Sequence, residues 1–154
     1  MRLFNTETNL HGPVPSDTRP VIIVGAGPVG LSLALGLSQN GVPVKVFEAL
    51  PELSPDARCS TIHPASLEIF DEWGVIEPVL AKGHKVNKLQ YWERETREVV
   101  AELPYDRIAE DTPYPYRLQC PQSVLTRVLK PEVEASALGD GQYGPCHDRL
   151  HRPW

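Results

Sequence analysis

Val21-Ile22-Ile23-Val24-Gly25-Ala26-Gly27-Pro28-Val29-Gly30 runs an apolar strand straight into a G-x-G-x-x-G turn, and Leu31 to Asn40, rich in Leu, Ala and Ser, continues as a buried helix. Each glycine has its own reason. Gly25 permits the tight exit from the strand, Gly27 lets a pyrophosphate approach bare backbone, and Gly30 lets the helix pack closely on the sheet. Asn40-Gly41 supplies a helix stop, and Val42 to Phe47 reads as a second strand with Pro43 near its start, ending at Glu48. An acid is needed ~20 residues after the last glycine to accept hydrogen bonds from a ribose, and Glu48 stands close to that spacing. The helix start aims free N–H groups and a positive dipole end at phosphate, so the site is made largely of backbone. The residues thus predict a dinucleotide cradle of Gly25, Ala26, Gly27, Pro28, Val29 and Gly30, with Glu48 and the adjoining Ala49 at the second strand end. A carboxylate here repels a 2′-phosphate, which favours FAD or NAD over NADP at this site.

The chain has 154 residues, 41% hydrophobic and 23% charged, with a net charge of −5. That is an ordinary globular composition with room for one domain and little room for a second. The negative balance and scattered basic residues argue against nucleic acid as a partner. Residues 21–37 are almost uninterruptedly apolar, but their glycines and proline read as strand and helix, and no membrane span or secretion signal is expected. Cys59, Cys120 and Cys146 are odd in number and widely spaced. They suggest free thiols in a reducing, cytoplasmic setting.

Downstream, Pro51 to Asp56 reads as a loop and Ala65 to Trp73 as a short helix opened by Pro64, with an apolar face of Leu67, Ile69, Phe70 and Trp73. A further helical piece spans Val75 to Ala81. Val86 to Trp92 and Val99 to Leu103 are expected to form a β-hairpin across Glu93 to Glu98, with Tyr91 and Trp92 as sheet residues. Tyr116 to Cys120 reads as a strand, and Pro121 opens a helix whose pattern Pro131 interrupts and Glu132 to Leu138 can briefly resume. From Gly139 no period persists, and an irregular tail is expected. Cys146, His147, Asp148 and His151 lack the second ligand pair and supporting structure of a zinc site, so no metal is assigned.

The turn with Val44-Lys45-Val46-Phe47-Glu48, Arg58 with His63-Pro64-Ala65-Ser66-Leu67-Glu68-Ile69-Phe70 and Trp73-Gly74-Val75, and Leu118 with Pro121-Gln122-Ser123-Val124-Leu125 together resemble the group A FAD-dependent aromatic hydroxylases, the flavoprotein monooxygenases related to phenol and p-hydroxybenzoate hydroxylase. The resemblance covers about residues 20 to 130. It implies an α/β, Rossmann-like FAD/NAD(P)-binding βαβ core with an inserted β-hairpin. It also implies that Arg58 lies against the FAD pyrophosphate or ribose and that Gln122 reaches the ribityl and flavin end. In such enzymes NADH or NADPH reduces the flavin, which then activates O₂ to hydroxylate a small aromatic substrate. No catalytic acid, base or nucleophile is assigned in this segment.

The later Asp-Gly and Gly-Asp fingerprints of the family are not found in their proper setting, and Gly139-Asp140-Gly141 reads as a chance echo. The expected organisation is therefore a flexible lead-in over 1–19, an incomplete FAD-binding domain over 20–138 and the tail over 139–154. The chain is expected to be the N-terminal portion of a monooxygenase, marginally stable and unable to hydroxylate alone. Two alternatives stay open: a catalytically inactive nucleotide-binding remnant, and the module of an NAD-dependent dehydrogenase.

Overall fold

The computed structural model describes residues 19–136 and 139–143. The described chain forms two compact units, one from residues 19–58 with 122–136 and 139–143, the other from residues 59–121.

In the first unit, β1 (Val21–Val24) leads into α1 (Pro28–Gln39) and returns in β2 (Val44–Glu48). β1 and β2 pair in parallel, with Val21 beside Val44 and Val24 beside Phe47. The two strands and their crossover helix are the predicted βαβ unit. Apolar spacing explains the packing: Leu31, Ala34 and Leu35 on α1 are buried with Ile23, Val44 and Val46 of the strands. The helix ends where expected, since Gly41 takes φ +77° and its N–H bonds the Ser38 carbonyl. Burial stops at one face, however. Ile22 and Val24, on the side of β1 opposite Ile23, are exposed, Val24 at 85%.

α4 (Gln122–Ala135) packs on α1 and delivers the chain to β8 (Gly139–Tyr143), which adds to β2 in parallel to give the order β1-β2-β8. Two expectations change here. Pro131 does not interrupt the helix. Leu125, Leu129 and Val133 recur at four-residue spacing and are all buried, while Pro131 and Arg127, whose carbonyl loses its partner, lie on the exposed side. Water can satisfy that carbonyl, and the buried stripe outweighs the missing bond. Pro131→Ala should therefore raise stability, by about 1 to 3 kcal/mol against a ~3 kcal/mol intrinsic penalty. A higher urea midpoint at unchanged slope checks this; an unchanged midpoint would refute it.

The irregular tail expected from Gly139 also fails over Gly139–Tyr143. Gly-Asp-Gly-Gln-Tyr lacks strand periodicity, but β2 offers it a complete backbone ladder, with Val44 beside Gly139 and Glu48 beside Tyr143. Pairing to an existing edge needs no apolar alternation. The lead-in and the Cys146 to His151 group lie outside the described residues.

In the second unit, α2 (Pro64–Glu72) and α3 (Ile76–Leu80) bury Leu67, Phe70, Ile76 and Val79, as their spacing predicts. β3 (Thr61–Ile62), β7 (Arg117–Gln119) and β4 (His84–Val86) form an antiparallel sheet in the order β3-β7-β4. The hairpin is present as β5 (Lys88–Trp92) and β6 (Val99–Pro104). It begins two residues later than predicted: Val86 pairs with Arg117, and the chain changes sheets at Asn87, whose carbonyl accepts the Tyr105 N–H. Alternation continues across that corner, so periodicity cannot reveal it. Cys59 is exposed and Cys120 buried, both as free thiols. No helix among the described residues is long and apolar enough to cross a membrane.

Candidate nucleotide site

The site grows from the end of β1. Gly25 N–H donates to the Phe47 carbonyl at 2.7 Å, prolonging the β1–β2 ladder by one bond, and φ of +102° then turns the chain sharply. That conformation is open to glycine and strained for side chains. Ala26 is buried, and its N–H donates to Glu48 Oε2 at 2.7 Å. Gly27 is the N-cap of α1, with φ −72° and ψ 179°, and brings no side-chain cap. The first bond of the helix runs from Leu31 N–H to the Gly27 carbonyl at 2.9 Å. Helical geometry therefore leaves the Val29 and Gly30 N–H groups without a partner inside the helix, and Pro28 has none to offer.

The glycines differ in what surrounds them. A Cβ on Gly30 would lie 1.9 Å from the Gly25 carbonyl oxygen and 3.4 Å from Ile23 Cγ2. This position is therefore a helix-to-turn contact. A Cβ on Gly27 would meet nothing within 4 Å. Its missing side chain faces open space at the mouth of α1.

Glu48 closes the other side of this mouth. Oε2 holds Ala26, and Oε1 accepts the Leu50 N–H at 3.0 Å. The Leu50 amide, aided by the Ala26 and Ala49 amides and opposed by partial burial, holds the carboxyl below its usual range. The group is thus ionised at neutral pH, with lone pairs still available for hydroxyl donors.

Gln122 and Arg58 belong to the same unit. Gln122 is half-buried at the first residue of α4. Arg58 is 78% exposed at its side chain and forms an ion pair with Asp56 at 3.3 Å. Among the described residues no hydrogen bond ties either to the turn. The structure therefore ties the turn to Glu48 through Ala26, and among the described residues it shows no such bond from Arg58 or Gln122. Sequence reading missed the Glu48 bonds to Ala26 and Leu50, and the Asp56 partner of Arg58. The Leu50 bond follows a short-range acceptor pattern, whereas Ala26 lies 22 residues away and is visible only once β1 and β2 are paired.

The donor set fits a dinucleotide: unpaired N–H groups for phosphate, a cradle that a Cβ at Gly27 would fill, and an ionised acceptor beside it. Comparison with known proteins agrees. The profile described as FAD binding domain matches residues 18–142. The chain is 31% identical over 109 residues to para-nitrophenol 4-monooxygenase of Pseudomonas sp. strain WBC-3, covering 71% of this chain and 27% of that protein. It is 35% identical over 118 residues to an uncharacterised aromatic compound monooxygenase of Bacillus subtilis strain 168, covering 77% and 22% respectively. The crystal structure of p-nitrophenol 4-monooxygenase from Pseudomonas putida superposes with a TM-score of 0.75 at 27% identity, over 82% of this chain and 32% of that one. The chain thus spans about a quarter of the length of the curated relatives it matches.

Proposed function

The chain belongs to the FAD binding domain family, and from that premise we propose that its first unit holds FAD as the N-terminal module of an NAD(P)H-dependent monooxygenase acting on a small aromatic substrate. The observation that carries this reading is the open, amide-lined mouth of α1 at Gly27, flanked by the Glu48 carboxylate. In this reading the N–H groups of Val29 and Gly30 receive the pyrophosphate, and Gly25, Ala26 and Pro28 shape the backbone around it. Glu48, presented with Ala49, accepts the adenosine ribose hydroxyls and disfavours a 2′-phosphate. Arg58, on an exposed loop, exchanges Asp56 for phosphate charge, and Gln122 serves the ribityl end. Bound flavin would supply electron storage and oxygen activation, with NADH or NADPH as reductant. The substrate class rests on the names of the relatives, which include monooxygenases of p-nitrophenol and other aromatic compounds. Cytoplasmic residence accords with that chemistry. No catalytic acid, base or nucleophile is proposed among the described residues, and the activity is proposed for the whole protein, of whose relatives this chain spans about a quarter.

The test is a calorimetric titration of the purified chain with FAD, NAD and ADP, repeated with Glu48→Gln. FAD should bind more tightly than NAD. The substitution keeps the shape of the side chain but loses the ionised acceptor, and should weaken FAD and ADP alike by about tenfold, ~1.4 kcal/mol. Preference for NAD would support the dehydrogenase alternative. FAD binding untouched by Glu48→Gln would overturn the placement of the ribose.

A further inference from the structure

The second unit holds a cavity that the nucleotide reading does not use. It opens at the base of the hairpin with a volume of about 480 Å³, within the range that small organic ligands occupy. Three stretches of chain meet there. Lys88 and Pro104 stand opposite each other at the two ends of the hairpin, Asp106 and Ala109 come from the 3₁₀ turn Tyr105–Ile108 and its end, and Pro115 and Tyr116 lead into β7. Backbone bonds hold each stretch in place: Tyr105 N–H donates to the Asn87 carbonyl at 2.9 Å, Ala109 N–H to the Asp106 carbonyl at 3.0 Å, and Tyr116 N–H to the Tyr114 carbonyl at 2.7 Å. Proline and alanine have almost no side-chain freedom to lose, and Tyr116 is buried with its ring edge-on to that of Tyr114 at 6.1 Å. The walls are therefore preformed.

The charges on its lining are unequal in their commitments. Lys88 is already matched, its Nζ donating to Glu102 Oε2 at 3.0 Å. Asp106 is exposed, and among the described residues its carboxylate enters no ion pair. Asn87 adds a side-chain amide at the same rim. Lys85 has its Nζ 4.6 Å from the centre of the Tyr116 ring, so one face of that ring already carries a cation and the ring serves the cavity as an apolar wall. The unmatched charge of the lining is thus negative.

We propose that this cavity binds a small organic cation, an amine whose ring lies among Pro104, Ala109, Pro115 and Tyr116 and whose ammonium group is held by Asp106. The ring gains apolar contact with rigid walls, and the ammonium N–H groups donate to the carboxylate and to the Asn87 side-chain carbonyl. An organic acid gains nothing equivalent, because Lys88 is committed to Glu102 and the acid would face Asp106. A neutral ring keeps the apolar contacts and loses the charge partner, so charge is what the site discriminates. Water screens the pull of an exposed carboxylate, which makes that discrimination modest. The site lies wholly in the second unit and does not depend on FAD binding by the first.

The test follows the Asn87 and Ala109 amide resonances of the ¹⁵N-labelled full chain during titration with benzylamine hydrochloride. Benzyl alcohol, which keeps the ring without the charge, and sodium benzoate, which reverses the charge, are the controls at matched ionic strength. The expected result is a saturable shift with benzylamine, binding about threefold to fivefold weaker with benzyl alcohol, and weaker still with benzoate. Asp106→Asn should bring benzylamine down to the affinity of benzyl alcohol, and Ala109→Phe, which fills the cavity, should remove the shifts caused by both. Resonances that benzylamine leaves unmoved, or that benzoate moves with equal affinity, would overturn the proposal in the parent chain alone, whether or not either variant folds. Benzylamine affinity unchanged in a folded Asp106→Asn chain would overturn it as well.

Discussion

Replacing Gly30 with alanine is expected to destabilise the first unit by about 3 kcal/mol or more, at the upper end of what overpacking costs. The methyl group would lie 1.9 Å from the Gly25 carbonyl oxygen, far inside van der Waals contact. The obstacle is backbone, and no rotamer change relieves it. Relief requires that α1 move away from the turn, but α1 is held in the core by Leu31, Ala34 and Leu35, all nearly inaccessible to solvent. A shift would also lengthen the bond from Gly25 N–H to the Phe47 carbonyl, and with it the top of the β1–β2 ladder. Against a typical domain stability of ~5–15 kcal/mol, such a loss is a large fraction of the whole. Urea unfolding followed by circular dichroism should show a sharply lowered midpoint. A midpoint within error of the parent chain would mean that Gly30 is not the contact between helix and turn.

The first βαβ unit was legible in the sequence because each of its features is local. Strand, turn, helix and acid follow one another within residues 21–48, and Gly25, with its φ of +102°, and Gly30, whose Cβ would strike the Gly25 carbonyl, mark backbone requirements that no other residue meets as well. α4 was only half legible. Pro131 is a strong local breaker, but the stripe of Leu125, Leu129 and Val133 is buried by α1, which lies far away in the sequence, and tertiary packing overrode local propensity. β8 was not legible at all, since Gly139–Tyr143 has no side-chain pattern and is held by its pairing with β2. The site divides along the same line. Gly25 to Gly30 and Glu48 could be placed from spacing, whereas the bond between Ala26 and Glu48 depends on register between strands.

Gly27→Ala is expected to act in the opposite way to Gly30→Ala, sparing the fold and abolishing most of the nucleotide affinity. At φ −72° and ψ 179° the backbone of Gly27 suits any residue, and a Cβ there meets nothing within 4 Å. Alanine is a somewhat poorer N-cap than glycine, but it also reduces the entropy of the unfolded chain; these effects oppose each other, and the net change in stability should stay within about 1 kcal/mol. The methyl group would occupy the open space through which, in the reading proposed above, the pyrophosphate reaches the Val29 and Gly30 amides. Holding the phosphates one carbon further out breaks short charge-assisted bonds that the helix start otherwise provides, so the FAD dissociation constant should rise about 100-fold, ~2.7 kcal/mol. Calorimetric titration beside a urea melt separates the two quantities. Unchanged FAD affinity in a folded Gly27→Ala chain would place the phosphates elsewhere, because no other role of this position is sensitive to a single methyl group. The contrast between neighbouring glycines is itself the diagnostic: a turn built only for packing would lose stability at Gly30 and nothing at Gly27, whereas a turn built to hold phosphate loses stability at one and its ligand at the other.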